Sequence, residues 1–190
     1  MESYNIMIVG VGGQGTLLAS RLSGAVAIHS GYDVKVSEVH GMSQRGGSVV
    51  TYVRFGDSVA SPLITKGGAD IILAFELLEA ARWLPYLKPG GKLIVNTQQM
   101  DPMPVITGTA QYPEGLDDAL RSRCADVQLL DALSLALESG TAKAVNVVLI
   151  GAMARHLPFA KEAWQQAIRE IVPEKFCAVN LTAFDKGYGV

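Results

Sequence analysis

A glycine-rich turn near the amino terminus constrains the fold more than any other feature. Residues 10–15 read GVGGQG and follow an apolar, β-prone run, YNIMIV, at residues 4–9. Residues 16–30 then show the apolar periodicity of a helix, and Gly31 stands at its end. Because glycine permits both a tight turn and close packing of a helix on a strand, this order is typical of a first βα unit. The sequence therefore predicts an α/β protein.

Strands and helices alternate along the rest of the chain. Residues 33–39, DVKVSEV, predict a second strand with Val34, Val36 and Val39 largely facing the core. Residues 48–64 alternate in hydropathy around FGDS, which predicts a hairpin-like pair of half-exposed strands. We expect a Rossmann-like, doubly wound, mostly parallel sheet with a hairpin-like insertion after the second strand, in one domain spanning residues 1–190.

Composition excludes several classes of function. Of the 190 residues, 49% are hydrophobic and 18% charged, and the net charge of −2 offers no electrostatic basis for binding nucleic acid or an anionic membrane. Cys124 and Cys177 are too few to ligate a four-thiolate iron–sulfur cluster, and the three histidines lack metal-ligand spacing. Since neither a secretory leader nor a membrane-spanning apolar run is present, we expect reduced thiols and a cytoplasmic location.

The glycine loop, residues 10–15, is a candidate anion site. Gly10, Gly12 and Gly15 satisfy GxGxxG and Gly13 is an additional glycine, so backbone N–H groups and a helix N-terminus are available to a phosphate. The alternative is a turn that only packs helix on strand. Gln14 would either touch a ligand or cap the neighbouring loop. A dinucleotide also needs an acid after the second strand; Glu38 is placed for this, but the segment that follows it does not resemble a ribose site.

That following segment is the second candidate. Residues 37–49, SEVHGMSQRGGSV, should leave the carboxyl end of the second strand, at the sheet edge where α/β proteins bind ligands. Arg45 suits a carboxylate or phosphate, with glycines beside it for close approach, and His40 suits donation to an oxyanion or proton transfer. A solvated loop with an ordinary surface histidine is the alternative.

The two motifs together resemble the gamma subunit, or gamma domain, of 2-oxoacid:ferredoxin oxidoreductases, and the short chain is most similar to the indolepyruvate branch of that family. The resemblance covers essentially the whole chain, including ADIILAFELLEAARWLPYLKPGG at residues 69–91. It implies a small subunit that binds a larger catalytic subunit, which carries thiamine diphosphate, Mg²⁺ and iron–sulfur clusters. The assembly would oxidise a 2-oxoacid, such as indolepyruvate or another aryl pyruvate, to an acyl-CoA and reduce ferredoxin.

By the same resemblance this chain would be inactive alone and would help to bind coenzyme A at a shared site. The motif positions carried over as cofactor-binding candidates are Gly10, Gly12, Gly13, Gln14, Gly15, His40, Ser43, Gln44, Arg45 and Gly46. No catalytic residue and no metal ligand is assigned. Glu76 and Glu79 suit a helix N-terminus, and Asn146 suits a helix cap or a contact with another loop. Two other hypotheses stay open: a stand-alone NAD(P)- or FAD-dependent oxidoreductase, and a non-enzymatic nucleotide-sensing module.

Overall fold

A computed structural model describes residues 3–40 and 46–190. Within them, six strands form one sheet: β1 (Tyr4–Val11), β2 (Asp33–His40), β3 (Ser48–Gly56), β4 (Ala69–Ala74), β5 (Leu87–Asn96) and β6 (Val127–Leu130). The α-helices are α1 (Thr16–His29), α2 (Leu77–Trp83), α3 (Met103–Ile106), α4 (Leu116–Arg123), α5 (Ala132–Glu138), α6 (Val145–Ala154), α7 (Lys161–Ile171) and α8 (Glu174–Tyr188). Single 3₁₀ turns precede β5 (Leu84–Tyr86) and α6 (Ala142–Ala144).

The sheet is mixed, with the strand order β2-β3-β1-β4-β5-β6. Strands β1, β4, β5 and β6 are parallel, and β3 lies antiparallel between β1 and β2. Helices cover both faces, because alternate residues of each buried strand point to opposite sides. Ile6 and Ile8 pack in the core that holds α1 and α5 to α8, whereas Met7 and Val9 pack with α2 and α4. The predicted doubly wound α/β class is confirmed.

The hairpin differs from the sequence prediction. Its two strands are β2 and β3, and residues 57–68 form no strand. Strand β3 is paired on both sides and is mostly buried rather than half-exposed. Residues 57–68 instead form a loop between β3 and β4, which is held to the start of β2 because the Val59 N–H donates to Asp33 Oδ2 at 2.8 Å.

The predicted burial of the second strand is wrong for two of its three valines. Val36 and Val39 are 46% and 51% exposed, and only Val34 packs against the core. The physical reason is position: β2 is the edge strand, so no further strand shields it from solvent. Hydropathy alone does not distinguish an edge strand from a central one.

Helices α6 and α8 approach each other closely through glycine. A Cβ built on Gly187 would lie 1.9 Å from the Val148 carbonyl oxygen, and one on Gly151 would lie 2.2 Å from the Phe184 carbonyl oxygen. Only glycine permits backbones to come this close. The second half of α8, which holds the buried residues Ala183, Phe184 and Gly187, is therefore packed closely against α6. No helix in the described ranges has both the length and the apolar character needed to cross a membrane.

Candidate functional site

Both sequence motifs lie at the same edge of the sheet. Strands β1, β2 and β4 end there, and antiparallel β3 begins there. The Gly12 N–H donates to the Gly47 carbonyl at 2.8 Å, and the Gly46 N–H donates to the Gly12 carbonyl at 3.4 Å. Backbone hydrogen bonds therefore join the glycine loop to the segment between β2 and β3, which we call the arginine loop (residues 41–47). The prediction that the two loops share an edge is confirmed.

The glycine loop needs its glycines for specific reasons. Gly13 and Gly15 have φ angles of 103° and 88°, in the left-handed region that other residues avoid. Gly15 is also the N-cap of α1, and no side chain caps this helix. A Cβ on Gly15 would lie only 2.5 Å from Asn146 Nδ2, so this turn packs directly on the start of α6. Gly10 lies in β1, where a Cβ would meet Phe75 Cβ at 2.9 Å.

Gln14 braces the loop from within. Its Oε1 accepts a hydrogen bond from the Val11 N–H at 2.7 Å, and its Nε2 donates to the Phe75 carbonyl at 3.0 Å. A weaker contact of 3.4 Å reaches Gln98 Oε1. The amide thus joins the end of β1 to the end of β4. The chain leaves β1 towards β2 on one side of the sheet and leaves β4 towards β5 on the other, so these two strands flank a topological switch point. Open α/β sheets bind ligands at such a switch point.

Two clefts flank the glycine loop. The larger cleft, of about 550 Å³, is lined by Gly12, Gly13, Gln14, Gly46, Phe75, Gln98, Met100, Leu133, Ala142, Lys143, Val145 and Asn146. The smaller cleft, of about 340 Å³, is lined by Gly12, Gly13, Gly15, Thr16, Leu17, Glu38, His40 and Val49. The volumes are those of ordinary small-molecule sites. Each cleft combines glycine backbone with a few polar side chains, so the glycine loop is accessible from both sides.

The structure brings most of the predicted residues together. Gly12 and Gly13 line both clefts, Gln14 and Gly46 line the larger one, and Gly15 and the exposed His40 line the smaller one. Gly10 supports the loop from inside β1 and lines neither cleft. Ser43, Gln44 and Arg45 lie outside the described residues, so their part in the site stays a prediction.

Lys143 is a cleft residue that sequence reasoning missed. It lies in the 3₁₀ turn just before α6 and lines the larger cleft beside Asn146. Nothing in its local sequence, TAKAVN, marks it as a ligand residue. Only the packing of α6 against the glycine loop places it there. For Asn146, the loop contact that the sequence left as one of two readings is present against Gly15.

Two buried carboxylates support the site from below. Glu76 is 1% exposed and caps α2, accepting from the Glu79 N–H at 2.8 Å, as expected for an acid at a helix N-terminus. Its other oxygen accepts from the Tyr112 hydroxyl at 2.5 Å and from the Met100 N–H at 3.1 Å. Burial, followed by the hydrogen bond to Glu76, raises the pKa of the Tyr112 phenol. The phenol therefore stays protonated and donates.

Glu79, 4% exposed, links α2 to the exit of the arginine loop. It accepts hydrogen bonds from the Ser48 hydroxyl, from Arg82 Nε at 3.1 Å and from Trp83 Nε1 at 3.2 Å. Ser48 is the first residue of β3. The carboxylate thus sets where β3 starts relative to α2. Short-range sequence patterns carried no signal for this link, because its partners are 31 residues apart.

The geometry departs from that of a dinucleotide site. In the usual fold the strand ending in the ribose-binding acid lies next to β1, but here β3 separates β1 from the strand that carries Glu38. Two strand spacings place that strand about 10 Å from β1. The Gly12 N–H, which would face a pyrophosphate, is already donated to Gly47. Among residues 3–40 and 46–190, no three His, Cys, Asp or Glu side chains are grouped so as to hold a metal ion.

Comparison with known proteins places the chain in a family. The family model described as pyruvate ferredoxin/flavodoxin oxidoreductase matches residues 5–190. The indolepyruvate oxidoreductase subunit IorB of Thermococcus kodakarensis is 45% identical over 98% of this chain and 95% of that protein.

Solved structures agree with this match. The gamma subunit of a keto/oxoacid ferredoxin oxidoreductase from Geobacter sulfurreducens superposes with a TM-score of 0.72 at 26% identity, covering 98% of this chain and 96% of that one. A 2-oxoglutarate:ferredoxin oxidoreductase from Magnetococcus marinus has the same fold within a longer chain, with a TM-score of 0.73 at 20% identity over 100% of this chain and 31% of that one. The resemblance drawn from the two loop motifs is thus confirmed, and the chain belongs to the pyruvate ferredoxin/flavodoxin oxidoreductase family.

Proposed function

We propose that this chain is the small subunit of an indolepyruvate-type 2-oxoacid:ferredoxin oxidoreductase. The observation that carries the proposal is the 45% identity to an indolepyruvate oxidoreductase subunit over nearly the full length of both chains. The substrate is an aryl 2-oxoacid, and the location is the cytoplasm.

The role of the chain is to complete a cleft with its partner. The described residues offer glycine backbone and the N-terminus of α1, both of which suit phosphate groups. Arg45 adds a cation from the arginine loop, which is joined to the glycine loop through Gly12. These groups fit the phosphates of coenzyme A better than an uncharged 2-oxoacid side chain, so the chain contributes to the coenzyme A side of the cleft.

The redox groups belong to the larger subunit. Two cysteines cannot ligate a cubane cluster, and the described residues contain no acidic or histidine cluster for a metal. When bound to the partner, thiamine diphosphate supplies the decarboxylation chemistry and iron–sulfur clusters conduct electrons to ferredoxin. This chain binds and orients coenzyme A and shields the shared cleft from solvent.

Reconstitution tests the proposal. The chain is co-expressed with its larger subunit, and coenzyme A-dependent ferredoxin reduction is measured across aryl and aliphatic 2-oxoacids. We expect activity with aryl substrates from the complex and none from the chain alone. Arg45→Ala should raise the KM for coenzyme A by about tenfold while leaving folding intact, as one lost charge contact of roughly 1.4 kcal/mol requires.

Controls define what would refute it. Lys66→Ala removes an exposed cation just before β4, at the opposite sheet edge, and should change nothing. An unchanged coenzyme A KM in the Arg45 variant removes that residue from the site. Failure of any thiamine- or iron–sulfur-containing protein to associate removes the subunit assignment. Micromolar binding of NAD, NADP or FAD with hydride transfer by the isolated chain would favour the stand-alone oxidoreductase instead.

A further inference from the structure

A groove on the α1 face of the molecule lies beside the site described above. It runs between α1, the connection from α5 to α6, and the junction of α7 and α8, and encloses about 650 Å³. It is lined by Leu18, Arg21, Gly140, Thr141, Lys143, Ala144, Asn146, Ile171, Val172, Pro173, Phe176, Val179 and Asn180. We call it the helix-face groove. Its lining is mostly apolar; we call the apolar lining the floor and the two exposed cationic residues, Arg21 and Lys143, the rim.

An aromatic side chain forms one exposed wall of the groove. Phe176 is 48% exposed in the first turn of the 15-residue helix α8, whose buried residues, Ala183, Phe184 and Gly187, all lie in its second half. Leu17, one residue before the groove on α1, is 55% exposed. Single exposed apolar side chains are ordinary, but an exposed aromatic ring that lines an apolar groove is a feature of interaction surfaces.

The rim carries positive charge without internal compensation. In the part of the chain that the structure describes, Arg21 and Lys143 form no ion pair. A third cation, Lys175, lies with its Nζ 4.8 Å from the centroid of the Phe176 ring. The N-terminus of α8 opens on the same side and adds partial positive charge, and Glu174 in its first turn is the acid nearest to it in sequence.

Three of the other acids on the surrounding helices have a basic partner, whereas Glu162, in the first turn of α7, forms no ion pair within the described part of the chain. Glu138 binds Lys186 at 2.7 Å, and Asp185 binds Lys161 at 2.8 Å. Glu170 lies 3.9 Å from His29. The cations at the rim therefore face outward with no carboxylate of this chain assigned to them, so a carboxylate from another molecule is the complementary partner.

The groove is continuous with the proposed coenzyme A cleft. Lys143 and Asn146 line both the helix-face groove and the larger cleft. A macromolecule that covers the larger cleft from the α6 side therefore reaches the groove without a gap. A partner that completes the cleft is placed to fill the groove as well.

We propose that the helix-face groove binds a segment of the catalytic subunit that presents apolar side chains flanked by Asp or Glu. This inference rests on the proposed function, which requires such a partner. The apolar residues of the segment occupy the floor beside Phe176, and its carboxylates pair with Arg21 and Lys143. Burying the Phe176 ring supplies a hydrophobic anchor, and the charges supply orientation.

Zero-length cross-linking of the assembled complex tests the contact directly. A carbodiimide joins a lysine amine to a carboxylate only when the two are in contact. We expect a Lys143 cross-link to an Asp or Glu of the catalytic subunit, located by mass spectrometry of the digested complex. Lys143→Arg preserves the charge but cannot form this amide, so the cross-link should vanish while the complex still assembles.

Substitution of the rim and wall tests its importance. Arg21→Glu and Phe176→Glu each change an exposed side chain, and each should weaken assembly at least tenfold in a sedimentation or surface-binding measurement. The matched controls are Arg121→Glu, on α4 across the sheet, and Leu63→Glu, which is 60% exposed. Both controls should assemble as the unmodified chain does. Thermal unfolding of each isolated variant verifies that it is folded.

The outcomes separate this inference from the function on which it rests. If the unmodified chain binds no catalytic subunit, the proposed function fails. If it binds, but Arg21→Glu and Phe176→Glu bind equally well, only the groove assignment is overturned. The groove assignment is also overturned if Lys143 cross-links only to a second copy of this chain. It is overturned as well if the control substitutions weaken assembly as much as the groove substitutions do.

Discussion

Replacing Gly15 by alanine should destabilise the protein far more than the same change at Gly13. Both glycines have positive φ angles, so both substitutions incur the left-handed strain of about 1–2 kcal/mol, offset by about 0.4–1 kcal/mol from the stiffer unfolded chain. Nothing lies within 4 Å of a Cβ on Gly13, so Gly13→Ala should cost only this net strain of about 1 kcal/mol.

Gly15→Ala carries an additional steric cost. Its Cβ would lie 2.5, 3.2 and 3.3 Å from three side-chain atoms of Asn146, and overpacking of this kind costs about 1–3 kcal/mol. The total loss in free energy of unfolding should be about 3 kcal/mol. Asn146→Ala removes the nearest of those atoms, so Gly15→Ala should cost about 1 kcal/mol less in that background, as for residues in direct contact.

Urea unfolding measures these free energies by linear extrapolation. The four variants are Gly13→Ala, Gly15→Ala, Asn146→Ala and the double variant that combines Gly15→Ala with Asn146→Ala. The m-values should stay constant, because the same surface is exposed in each case. Equal losses for Gly13→Ala and Gly15→Ala, or additive losses for the Gly15 and Asn146 changes, would refute the claim that α6 packs directly on the glycine loop.

Three further perturbations check other parts of the structure. Tyr112→Phe deletes the hydrogen bond to Glu76 and should lower the free energy of unfolding by about 2 kcal/mol near pH 7. The pKa of this phenol is raised in the fold, so its contribution to the free energy of unfolding is complete below about pH 10. Above that pH the phenol ionises in the unfolded chain and the contribution declines. A pH series of denaturation curves should therefore show the difference in stability between Tyr112→Phe and the unmodified chain becoming smaller at alkaline pH. Gly187→Ala sets a Cβ 1.9 Å from the Val148 carbonyl and should lower the free energy of unfolding by about 2 kcal/mol or more. In a chain of this size that corresponds to a fall of at least about 5 °C in the melting temperature followed by circular dichroism; an unchanged melting temperature contradicts the close helix packing. Gln14→Ala removes two hydrogen bonds to the backbone and should lower the free energy of unfolding by about 2 kcal/mol. Amide hydrogen exchange should become faster at the ends of β1 and β4. Faster exchange confined to the tip of the glycine loop would contradict the bracing role of Gln14.

Much of the fold was predictable from the sequence because it depends on local backbone chemistry. The GVGGQG turn between an apolar run and a helix has few alternatives, because left-handed backbone at Gly13 and Gly15 excludes other residues. Glu76 was recognisable as a helix cap from its place before α2. The shared edge of the two loops followed from strand direction alone.

The positions of residues that meet through long-range contacts were not predictable in the same way. Val36 and Val39 look like core residues by hydropathy, yet the insertion of β3 beside β1 pushes their strand to the sheet edge. Lys143, Tyr112 and Ser48 join the site through contacts that span dozens of residues. No periodicity or spacing encodes such contacts.

The sequence by itself determined the α/β class and the pairing of two loops at one edge, because each depends on backbone geometry within a short segment. The tertiary structure alone decided that β3 separates Glu38 from β1, that Gly12 donates its N–H to Gly47, and that unpaired cations gather around the helix-face groove. These features arise from which distant elements become neighbours. That choice is made by packing of the whole sheet and its helices, and a local pattern carries no record of it.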